Sequence, residues 1–262
     1  MSTQPSVLIT GASSGIGATY ADRFARRGHD LVLVARDQSR MEQLAERLRA
    51  EHGVAIDILR ADLVDRTQLA QVEARLRDDS RIGILINNAG ASKAGAFGDL
   101  PPDTISALVD LNVTAVARLA SAAASRFVRE QGGAIVNIGS VLGIAHEIGS
   151  PLYGATKAFV LMLSQTLQRE LGPGGVYVQA VLPAATATEI WDRSGRNVDE
   201  LPPMMSVDEL VDAALVGFDR REAITLPLLP DTEQWDAYDA ARKAMLVHFS
   251  GVHPAERYRK AG

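Results

Sequence analysis

Cysteine is absent from the 262-residue chain, and histidine occurs only five times. The lack of cysteine excludes disulfides, thiolate metal sites and cysteine nucleophiles. His248 and His253 form the closest histidine pair, and their spacing does not match the HxxxH pattern of a helical metal site. Lysine and arginine form no basic stripe in a chain of net charge −5. We therefore expect neither a metal nor a nucleic-acid partner.

Long hydrophobic runs are also missing. No uninterrupted apolar stretch approaches the roughly 20 residues that cross a bilayer. The first residues do not combine a charged stretch with a leader-like apolar segment, and residues 7–9 instead resemble the start of a first β-strand. We therefore expect a cytoplasmic protein with no membrane partner.

Short aliphatic runs alternate with amphipathic segments along the chain. Ile16, Tyr20 and Phe24 recur at a spacing of four, which is typical of one helix face. The strand candidates are nearly continuous in apolar residues, which indicates burial on both faces of a parallel sheet. These candidates are 6–10, 30–35, 54–59, 82–87, 133–139, 175–182 and 222–227. The alternation predicts an α/β fold with a Rossmann-like, doubly wound sheet of seven mainly parallel strands and helices on both faces.

Residues 1–262 are expected to form a single domain, because no linker, repeat or low-complexity tract divides them. Residues 186–206 interrupt the alternation, contain the pair Pro202-Pro203 and follow a strand candidate, so we predict a substrate lid there. A further helix is predicted from Asp231 to about Phe249. It begins a C-terminal extension over residues 231–262.

A glycine-rich turn connects the first strand candidate to a helix. Its sequence is Thr10-Gly11-Ala12-Ser13-Ser14-Gly15-Ile16-Gly17. Glycines let the backbone approach a pyrophosphate closely, and the helix N-terminus supplies N–H groups and a positive dipole end. Such a turn is weak evidence alone, because tight turns use glycine for backbone reasons. Its place in the first strand–helix unit predicts dinucleotide binding by Gly11, Ser13, Ser14, Gly15, Ile16 and Gly17.

The end of the second strand candidate, Ala35-Arg36-Asp37, bears on the choice of dinucleotide. An acidic residue there would accept hydrogen bonds from a free ribose 2′-hydroxyl, whereas the Arg36 guanidinium suits a 2′-phosphate. We expect NADP(H) to be preferred. NAD(H) stays possible, since Asp37 could face the ribose and Arg36 could be a solvated surface residue. Asp62, with Leu63 beside it, is expected to contact the adenine.

Tyr153 and Lys157 lie four residues apart, and Ser140 precedes Tyr153 by thirteen residues. A spacing of four places both side chains on one helix face. A phenol has a reference pKa of about 10, and a neighbouring cation favours the phenolate and lowers that pKa. The common alternative is an apolar ring beside a solvated lysine. With the Ser140 hydroxyl nearby, the pair predicts a proton donor for reducing a carbonyl or oxidising an alcohol.

These motifs together resemble the short-chain dehydrogenase/reductase family, over nearly the whole chain up to about residue 227. The resemblance is carried by the glycine turn, Asn87-Asn88-Ala89-Gly90, Asn112, Ser140 and the Tyr153–Lys157 pair. It implies that Tyr153 is the general acid/base, that Lys157 lowers its pKa and bonds the nicotinamide ribose, and that Ser140 holds the substrate oxygen. It further implies a water held by Asn112 behind the lysine, and hydride transfer from the pro-S face of the nicotinamide.

The resemblance also adds cofactor contacts and exposes two departures. The added contacts are Asn88, Ala89, Gly90, Tyr153, Lys157, Pro183, Thr186 and Thr188. Ala184 stands where the family usually has glycine, which favours a different loop shape, and we choose Thr186 over Thr188 as the partner of the nicotinamide amide. The predicted C-terminal helix argues against a close copy of the fatty-acid ketoacyl reductases. We expect it to cap the pocket or an oligomer surface.

The segments predicted to line the substrate pocket are mostly apolar, so we expect a hydrophobic ketone, aldehyde or secondary alcohol. His146 could steer a polar group or be simply exposed, and Trp191 could cover the substrate or pack against the body of the fold. The predicted substrate contacts are Ser140, Leu142, His146, Tyr153, Ile190 and Trp191.

The predicted function is that of an NADP(H)-dependent carbonyl reductase or alcohol dehydrogenase. The resemblance suggests a homodimer or homotetramer built on long helices around residues 103–130 and 150–172. One alternative is an NAD(H)-dependent alcohol dehydrogenase. Another is a non-catalytic NAD(P)-binding regulator, which would be expected to lack Ser140, Tyr153 or Lys157. An epimerase or dehydratase would have a different glycine spacing and a larger C-terminal domain.

Overall fold

A computed structural model describes residues 4–195 and 203–259. It divides the chain into two compact units, Met1–Pro227 and Leu228–Gly262. The boundary lies close to residue 231, where the sequence predicts a C-terminal extension. Whether residues 1–262 act as a single domain stays a prediction. Of the predicted lid, residues 196–202 lie outside the described part of the chain.

The first unit contains one seven-stranded sheet in which every pairing is parallel. Its strand order is β3-β2-β1-β4-β5-β6-β7. The strands are β1 (Ser6–Thr10), β2 (Leu31–Ala35), β3 (Ile56–Arg60), β4 (Ile82–Asn87), β5 (Ala134–Ile138), β6 (Tyr177–Val181) and β7 (Ile224–Thr225). The order reverses between β1 and β4, which confirms the doubly wound α/β fold. All seven predicted strands exist, with most of them shorter than predicted.

Helices follow the strands in the described ranges of this unit. They are α1 (Gly15–Arg26), α2 (Gln38–His52), α3 (Arg66–Asp78), α4 (Pro102–Val109), α5 (Val116–Arg129), α6 (Pro151–Leu171), α7 (Ile190–Ser194) and α8 (Val207–Asp219). The long helix predicted over 103–130 is therefore α4 and α5, joined by a π-helical turn over Asp110–Ala115. Such turns interrupt α-helices where a side chain must be re-aimed, often at functional sites.

Side chains define the starts of three helices and leave a fourth uncapped. Asp37 accepts from the Arg40 amide at the start of α2, and Asp65 accepts from the Thr67 and Gln68 amides at the start of α3. Ser206 and Glu209 form a reciprocal capping box at α8. By contrast, the Ser14 side chain makes no capping hydrogen bond at α1, and the first turn of α1 holds no acidic residue. The N-terminus of α1 therefore keeps backbone N–H groups for a ligand.

Two apolar clusters cover the two faces of the sheet. Alternate strand residues face opposite sides, so Val7 and Ile9 belong to one cluster while Leu8 belongs to the other. The first cluster packs the sheet against α1, α2 and α8, and the second packs it against α3 and α5. Near-continuous apolar strands are therefore buried on both faces, as the sequence pattern predicts.

A buried polar chain fastens α6 to the centre of the sheet. Asn87 of β4 donates to the Asn137 side chain of β5 at 2.9 Å, and Asn137 donates to the Ser164 hydroxyl of α6 at 2.9 Å. Ser164 in turn donates to the Val160 carbonyl at 2.7 Å. Because Asn137 is fully buried, these bonds replace water contacts that its amide would otherwise lose. They hold the helix that carries Tyr153 and Lys157 against β5.

The second unit contains α9 (Glu233–Ala244), followed by a 3-10 turn over Met245–His248. The helix predicted from residue 231 to about 249 is thus real but ends earlier as an α-helix. Within residues 228–259 none of the side chains is fully buried, and several large apolar ones are exposed. The exposed set includes Met245, Leu246, Val247, Phe249 and Val252.

One described helical segment, Pro102–Arg129, is long and apolar enough to cross a membrane by length and composition. Its most apolar window has a mean hydropathy of 1.3, and 39% of that window is buried inside the protein. Core helices of soluble proteins pass the same test, so one such helix is weak evidence. The expectation of no membrane partner stays a prediction.

The buried amide chain leads to a stability prediction. Replacing Asn137→Ala leaves the Asn87 amide with only its long 3.4 Å hydrogen bond to the Val116 carbonyl and frees the Ser164 hydroxyl of its donor, so the free energy of unfolding should fall by about 2–4 kcal/mol. Urea denaturation followed by circular dichroism measures this change. Gln71→Ala, which removes an exposed amide from α3, is the matched control and should change stability by less than about 0.5 kcal/mol. An equal, small effect of both substitutions would show that the amide chain contributes little.

Candidate active site

The carboxyl ends of β1, β4 and β5 lie side by side and bring the distant sequence motifs together. Thr10 ends β1, Asn87 ends β4 and Ile138 ends β5, and these strands pair in that order. The glycine turn, the segment 88–90 and Ser140 follow directly after these ends. A crevice at the point where strand order reverses is the usual ligand site of such sheets.

Thr10 and Asn88 fix the glycine turn to the segment after β4. The Thr10 hydroxyl accepts from the Asn88 and Ala89 amides at 3.0 and 3.1 Å. The Asn88 side chain donates to the carbonyls of Thr10 and Gly11 at 2.9 and 3.3 Å. A Cβ on Gly17 would overlap the Gly11 carbonyl oxygen, so this close approach requires glycine. Asn88 thus joins the end of β1 to the segment after β4, and its predicted contact with the cofactor stays a prediction.

The turn itself fits a pyrophosphate. Gly11 and Gly15 adopt φ values of +66° and +52°, which glycine reaches without strain. The uncapped N-terminus of α1 begins immediately after Ser14. Uncompensated N–H groups at a helix N-terminus attract anions through both hydrogen bonding and the helix dipole. The predicted contacts from Gly11 to Gly17 are therefore grouped around one anion-binding turn.

At the end of β2 the structure separates the roles of Arg36 and Asp37. The Arg36 side chain is 72% exposed, and its nearest ionic partner is Asp62 at 4.0 Å. Asp37 is engaged as the cap of α2, where it accepts from the Arg40 amide at 3.0 Å. Asp37 therefore has a structural role, and the Arg36 guanidinium is the more exposed of the two charged groups at this strand end. Leu63, which is expected beside the adenine, is buried in the second apolar cluster.

Lys157 is anchored directly to the end of β5. Its ammonium donates to the Ile138 carbonyl at 2.7 Å, and the whole residue is only 5% exposed. The same ammonium lies 5.5 Å from the centre of the Tyr153 ring. Ser140 follows Ile138 by two residues, and its side chain is close enough to the Tyr153 phenol to lower the pKa of that group. The structure thus brings Ser140, Tyr153 and Lys157 together as the sequence predicts.

The pKa of Tyr153 differs from the sequence expectation. Burial raises it to about 12, and the hydrogen bond with Ser140 offsets only part of that rise. Burial also lowers the pKa of Lys157 to about 8. The predicted depression of the tyrosine pKa by the lysine charge is therefore not seen, because removal from water outweighs it in the protein alone. The buried phenol is protonated at neutral pH, as a proton donor must be, although its raised pKa makes it a weaker acid than a free tyrosine.

Asn112 lies in the π-helical turn and is 1% exposed. Its Oδ1 accepts from the Ala91 amide at 3.0 Å, while Nδ2 donates to the Ala91 carbonyl at 2.9 Å and to the Thr156 hydroxyl at 3.1 Å. Thr156 donates to the Tyr153 carbonyl at 2.8 Å. Asn112 therefore ties the segment after β4 to the first turn of α6. Its Oδ1 keeps one lone pair, and the predicted water relay stays a prediction.

The segment after β6 approaches the glycine turn. The Val141 amide donates to the Pro183 carbonyl at 2.9 Å, which aligns this segment with Ser140. Ala184 is not among the described non-glycine residues with positive φ, so alanine fits here without backbone strain. Thr186 is buried and donates to the Ala184 carbonyl at 3.1 Å. Thr188 lies near the glycine turn, since a Cβ on Gly15 would contact its methyl at 3.4 Å, and the choice of Thr186 over Thr188 at the nicotinamide amide stays a prediction.

The predicted substrate contacts divide into two groups. Leu142 lies beside Ser140, to whose hydroxyl its amide donates at 3.2 Å. His146 is 90% exposed and lies 3.6 Å from the Glu147 carboxylate, so its substrate contact stays a prediction. The Trp191 indole donates to the Thr186 carbonyl at 2.7 Å, which holds α7 against the lid's own backbone. Ile190, beside it, is partly buried.

Two residues that hold the site were missed by the sequence analysis. Thr10 receives the amides of the segment after β4, and its only signal is its place at the head of the glycine turn. Thr156 links Asn112 to the Tyr153 backbone, and its signal is its position between Tyr153 and Lys157. The sequence around Thr10 and Thr156 shows no pattern that distinguishes them from other threonines at strand ends or in helices.

One group of possible metal ligands occurs among the described residues, formed by Asp22, Glu51 and His52. Asp22 already accepts from Arg23, Arg26 and Arg47. Three guanidinium charges around one carboxylate oppose the binding of a cation. This cluster is therefore an ion-pair network on the surface of α1 and α2.

Comparison with known proteins agrees with this fold and site. Residues 5–199 match the family of short chain dehydrogenases. A short-chain dehydrogenase from Sphingobium yanoikuyae, solved with NADPH, has 62% sequence identity and a TM-score of 0.96, covering 97% of this chain and 100% of the other. A bulky-bulky ketone specific alcohol dehydrogenase from Comamonas testosteroni has 57% identity and a TM-score of 0.91, covering 98% and 99%.

Curated relatives are more distant, and the very-long-chain 3-oxoacyl-CoA reductases among them are longer. The very-long-chain 3-oxoacyl-CoA reductase of Bos taurus is 32% identical over 197 residues, which is 71% of this chain and 63% of the relative. The chain thus spans less than two thirds of the length of that relative. A dinucleotide-dependent dehydrogenase is the class that the sheet, the glycine turn and the Ser140 group define. The chain belongs to the short-chain dehydrogenase family.

The buried lysine predicts a pH dependence of stability. The unfolded chain keeps the lysine proton up to a pH near 10.5, whereas folded Lys157 releases it near 8. The unfolded state therefore binds more protons between these values, and the contribution of Lys157 to stability rises with pH in that window, by a few kcal/mol at most. Denaturation of wild type and Lys157→Met at pH 8 and pH 10 should show their difference growing in favour of wild type. A stability difference that is the same at pH 8 and pH 10 would show that burial does not lower the pKa of Lys157.

Proposed function

We propose that this protein is an NADP(H)-dependent oxidoreductase that interconverts a bulky, apolar ketone and its secondary alcohol. The observation that carries the proposal is the grouping of Ser140, Tyr153 and Lys157 beside an uncapped helix N-terminus. The NADPH complex of the Sphingobium relative and the ketone specificity of the Comamonas relative support the cofactor and the substrate class.

The residues present fit the dinucleotide. The glycine turn and the N-terminus of α1 would hold its pyrophosphate, and Arg36 would hold the ribose 2′-phosphate. Asp37 is already used as a helix cap, which weakens the alternative of an acidic ribose partner and therefore of NAD(H). Thr188 has its side chain close to the turn, which supports a contact between this residue and the bound cofactor. When bound, NADPH supplies the hydride for the carbonyl carbon.

Ser140 and Tyr153 act on the carbonyl oxygen. The two side chains are close to each other, so they can donate to one oxygen atom as negative charge develops there. Tyr153 transfers its proton, since its raised pKa keeps it protonated until that charge appears. Lys157, held by the Ile138 carbonyl, keeps a positive charge near the phenolate that remains. A regulator without chemistry would not require these three groups in one arrangement.

We also propose a cytoplasmic homo-oligomer. A sequence without cysteine does not depend on an oxidising compartment. Val128 on α5 and Phe159 and Met162 on α6 are exposed large apolar side chains, which favours helix-to-helix contact between copies. Size-exclusion chromatography with light scattering distinguishes a dimer from a tetramer.

Removing the phenol should separate chemistry from binding. Tyr153→Phe keeps the ring and its packing but removes the transferred proton, so kcat for ketone reduction should fall at least about 1000-fold. NADPH affinity, measured by fluorescence titration, should change less than about threefold. The assay follows NADPH absorbance with a panel of diaryl and dialkyl ketones and, for comparison, 3-oxoacyl thioesters. Near-normal turnover by Tyr153→Phe would contradict the proposed proton donor.

Arg36 should determine the preference between the two dinucleotides. Arg36→Ala removes the accessible guanidinium at the end of β2, so the Kd for NADPH should rise about tenfold or more while the Kd for NADH changes little. Isothermal titration with both cofactors measures this. Arg220→Ala, an exposed arginine at the C-terminal end of α8, serves as the charge-matched control. Equal weakening of NADPH and NADH would show that Arg36 does not contact the 2′-phosphate.

A further inference from the structure

Three charged side chains connect the predicted lid to the glycine turn. Arg40, in the first turn of α2, donates to both carboxylate oxygens of Glu189 at 2.8 Å. Arg193 of α7 donates to the same carboxylate and also approaches the Ser14 hydroxyl at 3.5 Å. Glu189 immediately precedes α7. We name the group Arg40, Glu189 and Arg193 the Glu189 bridge.

The bridge lies where phosphate groups of a dinucleotide are expected. One end is Arg40, four residues after Arg36 and next to the end of β2. The other end reaches Ser14, the residue at the N-terminus of α1. Arg36 and the glycine turn are the two phosphate-binding elements of the proposed cofactor site. The Glu189 carboxylate accepts hydrogen bonds from the guanidiniums of Arg40 and Arg193. The same N–H donors could bind a phosphate instead.

We propose that Arg40 is, together with Arg36, a ligand of the 2′-phosphate of NADP(H), and that Glu189 competes with this phosphate for Arg40. This inference rests on the proposed function. When the phosphate binds, Arg40 exchanges one anionic partner for another, while Arg193 keeps Glu189 and holds α7 beside the turn. Glu189 thereby becomes a residue that sets the preference between NADP(H) and NAD(H).

The exposure of the pair makes this exchange favourable. The side chains of Arg40 and Glu189 are 46% and 43% exposed, and ion pairs so open to water contribute little stability. A phosphate carries up to two charges and accepts several hydrogen bonds from guanidinium groups, so it competes well against a single carboxylate. Arg40 is also 3.5 Å from Asp37, which keeps the guanidinium at the end of β2 through the exchange.

The test is a double-mutant cycle on binding, with no turnover required. Glu189→Gln removes the competitor, so the Kd values of NADPH and of 2′,5′-ADP should fall about threefold to tenfold, while those of NADH and 5′-AMP stay within about twofold. Arg40→Ala should raise the Kd of NADPH about tenfold. In the double variant the effect of Glu189→Gln should vanish, because the residue for which Glu189 competes is gone. Glu46→Gln, an exposed carboxylate of α2, is the control for net charge.

Each result that would contradict the proposal points to a different part of it. If Glu189→Gln tightens NADH and NADPH equally, Glu189 competes with the pyrophosphate and the 2′-phosphate assignment is wrong. If the two substitutions are additive, or Glu46→Gln has the same effect as Glu189→Gln, the direct competition is wrong. Each of these outcomes leaves the proposed function intact if wild type prefers NADPH and reduces ketones. Failure of wild type to bind NADPH would overturn the proposed function and this inference together.

Discussion

The hydrogen bond from the Lys157 ammonium to the Ile138 carbonyl is the constraint on which the site depends. Ile138 is the last residue of β5, and Ser140 follows it, so the bond sets the first turns of α6 at a fixed position against Ser140. The Asn87–Asn137–Ser164 chain holds the same helix further along. Tyr153 is therefore placed by two separate attachments of one helix to one strand.

Burial gives this arrangement its chemistry. Removal from water raises the pKa of Tyr153 and lowers that of Lys157 to about 8, so at neutral pH the phenol keeps its proton and the lysine is still mainly charged. Both pKa shifts disfavour the charged form of the side chain. Each pKa shift becomes smaller when a charge of the opposite sign comes near the group. The site is thus prepared to stabilise the negative charge that a carbonyl oxygen acquires.

Local patterns in the sequence predict much of this structure. Apolar runs locate all seven strands, because strands buried on both faces consist mostly of apolar residues, and the glycine turn is fixed by backbone contacts that a Cβ would prevent. The direction of the Tyr153 pKa could not be predicted, since it depends on desolvation by the folded surroundings. The choice between Thr186 and Thr188, and the pairing of Arg40 with a residue 149 positions away, likewise depend on tertiary contacts.

The most direct test of the proposed hydride transfer traces the transferred hydrogen with a deuterium label. The protein is given a bulky apolar ketone and NADPH carrying deuterium at the pro-S position of the nicotinamide, and the alcohol is analysed by mass spectrometry and NMR. The account predicts deuterium on the carbinol carbon of the product, together with a hydroxyl proton taken from solvent. Unlabelled alcohol, with the deuterium retained on the oxidised cofactor, would contradict the proposed orientation. No alcohol with any ketone, despite tight NADPH binding, would contradict the proposed chemistry.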